Sequence, residues 1–289
     1  MRKRIIDAVE YREFPPPASL AAHVQCVWRL RDASPGDAAR TIFPDGRCEL
    51  IVHLGTPPRC WDALAGWHSQ ARTLFAAQRV IAVRLEAAGA VDCVGVRMQP
   101  AAGAMFFPGT VARLRDRVVD LAALDARFSR ALAASARRFA AQEAASLWAL
   151  LTRRVAGREV DARIAAAAAS IESSAGRARV AALARAAALS LRGFQSRFRA
   201  AVGLTPKEFA RLTRLQATLR ALDGSDASIA AVATDSGFAD QAHVTRELRR
   251  TTGHTPARLR DELRRHLIQA GDGDAAIRMA AAFVRGAAG

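Results

Sequence analysis

Short runs of β-branched and aromatic residues alternate with polar ones through the first hundred positions of the chain. Such runs, bounded by Pro, Gly and Asp, predict strands. Between two of them, FPDG at 43–46 predicts a tight turn, because Pro44 presets φ and Gly46 accepts a positive φ. The pattern predicts a small antiparallel β-structure with strands at VQCVWRL (24–30), CELIVHL (48–54), RVIAVRL (79–85) and VDCVGVRM (91–98).

After Pro100 the period of the apolar residues becomes that of helices. Apolar side chains recur three and four positions apart near 125–140 and 142–155, and Gly157 then predicts a helix end and a domain boundary. The helical pattern continues beyond it almost to the end of the chain. The last segment, 269–289, is rich in Gly and Ala and is assigned no role.

Capping residues support several of these later helices. Ser190, Asp226 and Asp240 each precede good helix formers, as N-caps do, and Pro206 and Pro256 occupy first-turn positions. The predicted helices are 160–173, 178–185, 190–201, 206–222, 227–234, 240–251 and 256–267.

One helical unit occurs twice, at an offset of 50 residues. GLTP at 203–206 matches GHTP at 253–256, and a shorter predicted helix precedes each copy. A short helix, a tight turn and a second helix form a helix-turn-helix, whose second helix lies in the DNA major groove. The predicted connecting helix, 206–222, spans about 25 Å at 1.5 Å per residue. That length would set the two second helices near one turn of duplex apart, about 34 Å.

The outward faces of the two second helices are polar and basic when their apolar stripes are buried. The stripes are Phe194 with Phe198 and Val244 with Leu248. Arginine can donate twice to guanine, glutamine can pair with adenine, and neighbouring Arg and Thr can hold phosphates. Any surface helix opposes charges to its apolar stripe, but two register-matched copies favour DNA binding. At 100° per residue, the outward residues are Arg192, Ser196 and Arg199 in the first helix, with Gln195 at the edge. In the second helix they are Ala242, Arg246 and Arg249, flanked by His243, Thr245 and Arg250.

The net charge of the chain also favours DNA as the partner. The formal net charge of +16 and the pI near 11.4 indicate a polyanion, although genome composition also enriches arginine, and only Lys3 and Lys207 are lysines. No apolar run reaches the 18 residues of a spanning helix, and Asp7, Glu10 and Glu13 interrupt the apolar core that a signal peptide needs. We therefore expect a cytoplasmic protein with no membrane partner.

Cysteine and histidine spacing gives no strong metal motif. The four cysteines form no CxxC pair and predict reduced, packed thiols, and His23, His53 and His68 are scattered singles. We expect no metal and no cofactor. The alternative is a zinc site built from Cys26, Cys48, Cys60 and Cys93 with His53 or His68.

Catalytic motifs are also missing from the sequence. GxSxG, GxxxxGK[ST], HExxH and a GxGxxG after a strand do not occur, so we expect no enzyme and no catalytic residues. Asp45 and Glu49 flank the start of a strand and could line a pocket, although a turn role for Asp45 is favoured. Trp28, Trp61 and Trp67 could stack on a ligand, although core packing is favoured.

The stretch from about 160 to 267 resembles the double helix-turn-helix DNA-binding domain of AraC/XylS-type transcription regulators. Its strongest part is IAAVATDSGFADQAHVTRELRRTTGHTPARLR (229–260), with the family's Gly-Phe turn, reading helix, Gly-x-Ser/Thr-Pro and following Arg260. Two departures stand out: Ala188 where the family commonly has Gly, and Val244 and Leu248 in place of the usual aromatics. Ala242 offers at most a methyl contact to thymine. The resemblance implies base-reading positions at Arg192, Gln195, Ser196, Gln241, Ala242, His243, Thr245 and Arg246.

The first half resembles the cupin-like sensory portion of one branch of these regulators, through FPDGRCELIVHLG (43–55) and GVRMQPAAGAMFFPG (95–109). The segment at 99–101 departs from the family's helix entry. The resemblance implies an α+β protein in three parts. They are a small antiparallel β-barrel with packed helices for sensing or dimerisation (1–157), an all-α domain with two helix-turn-helix motifs (158–268) and the tail (269–289).

These observations predict a sequence-specific transcription regulator whose partner is double-stranded DNA. The resemblance implies that the first part binds a small effector or another subunit as a homodimer. It also implies that the DNA-bound form recruits or blocks RNA polymerase, activation being the commoner mode. Relatives with a zinc-thiolate DNA-alkyl acceptor carry paired cysteines, which this chain lacks. The alternative is a small-molecule-binding or enzymatic β-barrel protein with a helical interaction module.

Overall fold

The computed structural model describes residues 2–6, 9–35, 39–62, 66–224 and 227–267. The predicted tail at 269–289 and the predicted cap Asp226 lie outside these residues.

Two antiparallel sheets build the first part of the molecule. The larger has seven strands in the order β1-β2-β3-β10-β5-β8-β11, and the smaller has four in the order β4-β9-β6-β7. The strands are β1 (Arg2–Ile6), β2 (Val9–Phe14), β3 (Val24–Asp32), β4 (Arg40–Ile42), β5 (Glu49–His53), β6 (Arg59–Asp62), β7 (Gly66–Ser69), β8 (Thr73–Ala76), β9 (Val83–Glu86), β10 (Val91–Met98) and β11 (Val118–Asp120).

Three of the four predicted strands are confirmed nearly to the residue, as β3, β5 and β10. The fourth, predicted at 79–85, begins only at Val83. Residues 77–82 instead form a loop that leaves the sheet, and the amide of Ala82 donates to the carbonyl of Thr251 (2.9 Å) in the helical part. The prediction of a strand at 79–82 was therefore wrong, because apolar residues that pack on another domain give the same sequence pattern as strand residues.

Helices make up the rest of the described chain. Helix α2 contains non-helical φ/ψ at Asp125, whose carboxylate accepts from the amide of Phe128 (2.9 Å) and so restarts the helix. The helices are α1 (Gly103–Phe106), α2 (Leu121–Ala140), α3 (Ala145–Val155), α4 (Ala162–Ser173), α5 (Val180–Ala186), α6 (Leu191–Val202), α7 (Pro206–Gly224), α8 (Ile229–Asp235), α9 (Gln241–Thr252) and α10 (Pro256–Leu267).

Separate apolar cores stabilise the two parts. One joins the larger sheet to helices α2 and α3, and another joins α4 to α10. The second core also takes in Phe43 and Ala101 from the first part, with Val80 and Ala82 packed against it. The fold is thus α+β, as predicted, with β-structure in the first part and, in the part of the chain that the structure describes, helices alone after Ala162.

Polar contacts also join the two parts. Gln216 of α7 donates through Nε2 to the carbonyl of Pro44 (2.7 Å), and Arg115 pairs with Glu208 of α7 (Nη1 to Oε1, 2.6 Å). A Cβ added at Gly46 would press on the ring of Phe209, so the predicted FPDG turn lies directly on α7. Gly46 has φ +77°, as its turn position requires.

Candidate nucleic-acid interface

The first helix-turn-helix consists of α5 and α6. Ser190 caps α6 as predicted, its hydroxyl accepting from the amide of Gly193 (3.1 Å). Phe194 and Phe198 are buried with ring centroids 5.8 Å apart, and Gly203 ends the helix at φ +89°. The apolar stripe and both helix ends therefore fix which face of α6 points outward.

The second unit, α8 with α9, repeats this construction. The Asp240 carboxylate accepts from the amide of His243 (2.6 Å), Val244 and Leu248 are buried, and Gly253 ends α9 at φ +79°. The apolar stripe survives the loss of the family's aromatics. Both predicted caps of the second helices, Ser190 and Asp240, are confirmed.

The start of α8 corrects one prediction. The helix begins at Ile229 and its cap is Ser228, whose hydroxyl accepts from the amide of Ala231 (3.1 Å). Asp226 was therefore the wrong choice of cap. Ser228, whose hydroxyl also suits a cap, was overlooked in the sequence, and the backbone path decides which residue takes that position.

The two turns share one hydrogen-bonding pattern. In the first turn the amide of Leu189 donates to the carbonyl of Ala184 (3.0 Å), and in the second Phe238 donates to Ala233 (2.9 Å). Ala188 has φ +52°, where the second turn has Gly237 at +76°. The departure from Gly at 188 therefore leaves the turn intact but places an L-residue in the left-handed region.

The predicted outward residues are on the surface of the two second helices. In the described chain, seven side chains predicted from the outward faces or from the resemblance make no hydrogen bond or ion pair: Arg192, Gln195, Ser196, Arg199, Gln241, Arg246 and Arg249.

Other arginines on the same helices do have partners. Arg197 forms an ion pair with Asp161 (3.7 Å), and Arg250 forms one with Glu247 (3.0 Å). Glu247 also forms an ion pair with Arg211 of α7. Unpaired cations are thus confined to one face of each second helix, while arginines at its margin bind to the protein itself.

Two predicted positions differ from the rest because they are half-buried. His243 is half-buried, with its ring edge-on to Phe238 at 5.2 Å, and Thr245 is half-buried and donates to the carbonyl of Gln241 (2.7 Å). Ala242 is exposed. His243 and Thr245 therefore also stabilise the unit that carries them.

Two arginines hold the second unit in place: sequence reasoning named Arg260 without a role and missed Arg214. Arg260 donates to the carbonyl of Ala227 (2.6 Å) just before α8, so this signature residue closes the second unit. Arg214 donates to the carbonyl of Gly176 (3.0 Å) and lies over the ring of Phe238. The sequence could have indicated these two arginines only through their position on the inner side of a helix, because an arginine count does not separate inner from outer positions.

A cavity of about 160 Å³ lies between the two sheets. Residues of β3, β5 and β10 line one side and those of β4 and β9 the other. The remaining wall is formed by the FPDG turn and the loop after β8, through Phe43, Asp45, Ala77 and Arg79. Both of these segments also contact the helical part.

Asp45 and Glu49 line the cavity, and Asp45 also accepts from the amide of Arg47 (3.0 Å) within the turn, so the pocket and turn roles coexist.

The cysteines and tryptophans have varied surroundings. All four cysteines are buried and not disulfide-bonded. Among the described residues, no group of three or more His, Cys, Asp or Glu is placed to hold a metal ion. Trp28 lines the cavity, whereas Trp61 is 43% exposed and contacts Trp67. Within the same residues, none of the helices is long and apolar enough to cross a bilayer.

Two family models match the chain. The model described as "Helix-turn-helix domain" matches residues 183–262, and one described as "Domain of unknown function (DUF6597)" matches residues 12–120. No curated protein matches it.

Several solved structures are similar to parts of the chain. The DNA-binding domain of AdpA, a global transcriptional factor in complex with a target DNA, is 29% identical, with a TM-score of 0.35, over 37% of this chain and 98% of that one. Unsaturated fatty acid bound ToxT from Vibrio cholerae strain SCE256 is 11% identical, with a TM-score of 0.43, over 94% of this chain and 99% of that one. The AraC-like transcriptional activator CuxR is 12% identical, with a TM-score of 0.26, over 72% of this chain and 85% of that one. These TM-scores lie below 0.5 and establish no shared overall fold.

The family match from 183 to 262 covers nearly all of both units. Each unit has the cap, the apolar stripe, the turn and the terminal glycine that the signature requires. Since the second helix of such a unit enters the major groove, residues 183–262 form a helix-turn-helix domain of the AraC type, and the chain is a DNA-binding regulator.

Proposed function

We propose that α6 and α9 read two successive segments of the major groove of one duplex. The observation that supports this most directly is the set of seven outward side chains without an intramolecular partner, on two units with matching caps and stripes. A polar side chain without an intramolecular partner is available to contact a base or a phosphate. The helix between the units, α7, has 19 residues and is about 28 Å long at 1.5 Å per residue, close to one duplex turn.

The proposed roles follow from side-chain chemistry. Arg192 and Arg246 donate to guanine O6 and N7, and Gln195 and Gln241 pair with adenine. The remaining predicted residues contact phosphates or make minor base contacts. They are Ser196, Arg199, Ala242, His243, Thr245 and Arg249.

Substitution of the two base-reading arginines tests the proposal. A bound sequence is first selected from random duplexes, and affinities of the full chain are then measured on that sequence and on a scrambled one. Arg192→Ala and Arg246→Ala should each cost about 1 to 3 kcal/mol on the selected sequence and far less on the scrambled one.

Matched controls come from the same helices. Arg197→Ala and Arg250→Ala remove arginines that pair with Asp161 and Glu247, so the discrimination between sequences should not change. Equal losses on both duplexes would make Arg192 and Arg246 phosphate contacts. Controls as damaging as the test variants, or no salt-dependent binding at all, would favour the alternative of a helical interaction module.

The first part, residues 1–157, is proposed to sense an effector in the cavity between its sheets, and 158–268 to bind DNA. Support comes from two segments that both line the cavity and touch the helical part. They are the FPDG turn, which contacts α7, and the loop after β8, which contacts α9 through Ala82. An occupant that displaces either segment would change how α7 and α9 are held.

The proposed output is control of RNA polymerase at the bound promoter, with activation as the mode that this type of regulator commonly uses. The first part would also provide the contact in a homodimer. Such a protein acts in the cytoplasm, beside the DNA that it reads.

A further inference from the structure

The cavity between the sheets has the size of a single-ring ligand. Its volume of about 160 Å³ compares with the roughly 150 Å³ of an apolar cavity that binds benzene. Most of its wall is apolar, which suits a hydrophobic body. The apolar lining includes Leu30, Ile42, Ile51, Leu74, Val83 and Leu85.

One end of the cavity carries a cluster with excess negative charge. Arg97 is buried, and its guanidinium meets three carboxylates: Glu49 (2.9 Å), Glu13 (3.5 Å) and Asp45 (3.8 Å). With every group ionised, one positive charge faces three negative ones. A cationic group on a ligand would therefore be attracted to this end, and an anionic group repelled.

Glu49 is the member of the cluster best placed to receive a donor. Trp28 (Nε1, 3.1 Å) and Arg97 (Nε, 2.9 Å) both donate to its Oε1, which leaves Oε2 to a ligand. Burial raises the pKa of Glu49, while Arg97 works in the opposite direction. The rings of Trp28 and Tyr11 lie stacked with centroids 6.2 Å apart beside this carboxylate and offer π faces to a cation.

Two other arginines line the cavity, and both are held by partners. Arg47 donates to Gln25 (2.8 Å) and pairs with Glu172 of α4 (2.6 Å), and Arg79 donates to the carbonyl of Asp116 (3.1 Å). One nitrogen of Arg47, Nη1, is buried with no partner among the described residues, so a carboxylate is the competing head group.

The other end of the cavity presents a histidine, next to Gln70, with one free ring nitrogen. His53 is 6% exposed, lines the cavity, and its Nε2 has no hydrogen-bond partner in the described part of the chain. Burial lowers the pKa of His53 to about 4, so the ring is neutral at pH 7, with one nitrogen as a donor and the other as an acceptor. His53 and Glu49 lie on the same face of β5, four residues or about 13 Å apart along the strand.

We propose that the cavity binds an arylalkylamine, a single aromatic ring that carries a primary ammonium group on a short chain. The ammonium binds Glu49 beside Trp28 and Tyr11, the ring fills the apolar middle, and a hydroxyl at the far side of the ring meets His53. This assignment rests on the proposed effector role of the first part and names the chemical class of that effector.

The test uses the full chain and a series of matched ligands. Dissociation constants of 2-phenylethylamine, 2-(4-hydroxyphenyl)ethylamine, 2-phenylethanol and 3-phenylpropanoate are measured by calorimetry, with thermal shifts alongside. Both amines should bind at least about tenfold more tightly than the alcohol and the acid, because an ammonium–carboxylate hydrogen bond is stronger than a neutral one. The hydroxylated amine should be the tighter of the two.

Two variants locate the head group. Glu49→Gln should remove the preference for amines, whereas Glu86→Gln, which alters a carboxylate paired with Arg59 outside the cavity lining, should keep it. If Glu49→Gln does not fold, the wild-type ligand series still decides the question. His53→Ala should abolish only the advantage of the hydroxylated amine.

Tighter binding of the acid, equal binding of all four ligands, or no saturable binding would each overturn the assignment. Binding of the wild-type chain to its selected duplex, measured without ligand, is independent of these outcomes. A chain that binds DNA but no amine contradicts the ligand class alone, whereas a chain that binds no DNA contradicts the proposed function.

Discussion

Single backbone positions decide how well each helix-turn-helix is formed. Ala188 occupies the left-handed region at φ +52°, a conformation that costs an L-residue about 1 to 2 kcal/mol and costs glycine almost nothing. Gly237 has the same place in the second turn, where an added Cβ would meet only the side chain of Arg177 at 3.4 Å. Steric space is therefore available at both positions, and the difference between them is one of backbone strain.

Replacement at these two positions should change stability in opposite directions. Ala188→Gly should raise the free energy of unfolding by about 1 kcal/mol, because relief of strain exceeds the backbone entropy that glycine loses. Gly237→Ala should lower it by a similar amount. Urea unfolding of the full chain measures both, and a destabilised Ala188→Gly would show that the first turn is not strained.

The start of α7 joins a helix cap to a contact between the two parts of the molecule. Thr205 and Glu208 form a capping box, in which the carboxylate accepts from the amide (2.9 Å) and the hydroxyl (2.8 Å) of Thr205. Glu208 also pairs with Arg115. Although partial burial opposes it, these bonds and the nearby guanidinium groups hold the pKa of Glu208 below its ordinary 4.5.

This lowered pKa predicts how stability depends on pH. The unfolded chain takes up the Glu208 proton near pH 4.5 and the folded chain only at lower pH, so the contribution is complete above 4.5 and is lost as pH falls through the folded pKa. Urea unfolding between about pH 3 and pH 6 should show Glu208→Gln less stable than wild type at the upper end. The gap should narrow towards the acid end, and a constant gap would contradict this linkage.

Helix existence was predictable for every helix after Gly157, since each carries its own apolar period. Boundaries followed the caps: Ser190 and Asp240 were recognised, and α8 was misplaced because Ser228 was overlooked. Most short strands, such as β6 at Arg59–Asp62, were missed because their residues alternate too briefly to give a period.

Across the whole molecule, charge acts through its distribution. The net charge is +16, but many arginines form ion pairs or donate to carbonyl groups. Examples of the ion pairs are Arg154 with Asp125 (2.7 Å) and Arg59 with Glu86 (3.1 Å). Arg199 and Arg249 make no such contact among the described residues. Their position predicts phosphate binding, which releases counterions from DNA.

Salt dependence should separate these groups. For the full chain, Arg199→Ala and Arg249→Ala should each reduce the slope of log K against log salt by about 0.9, on every sequence alike. Arg59→Ala removes the same formal charge from a paired residue in the smaller sheet and should leave the slope unchanged. Equal effects of all three changes, measured by fluorescence anisotropy from 50 to about 300 mM salt, would mean that only total charge matters.

Local patterns alone determined the helical units, their duplication and the face that each second helix presents. The units and their outward faces depend on spacing within about fifteen residues, because the helical period converts spacing into direction. The duplication depends only on matching residues at an offset of 50. Tertiary structure decided which arginines stay unpaired, as Arg192 does and Arg197 does not, because the partner Asp161 lies on another segment. It also decided that Glu49, Arg97, Trp28 and His53 line one cavity, since pairing between distant strands brings them together and no local period records it.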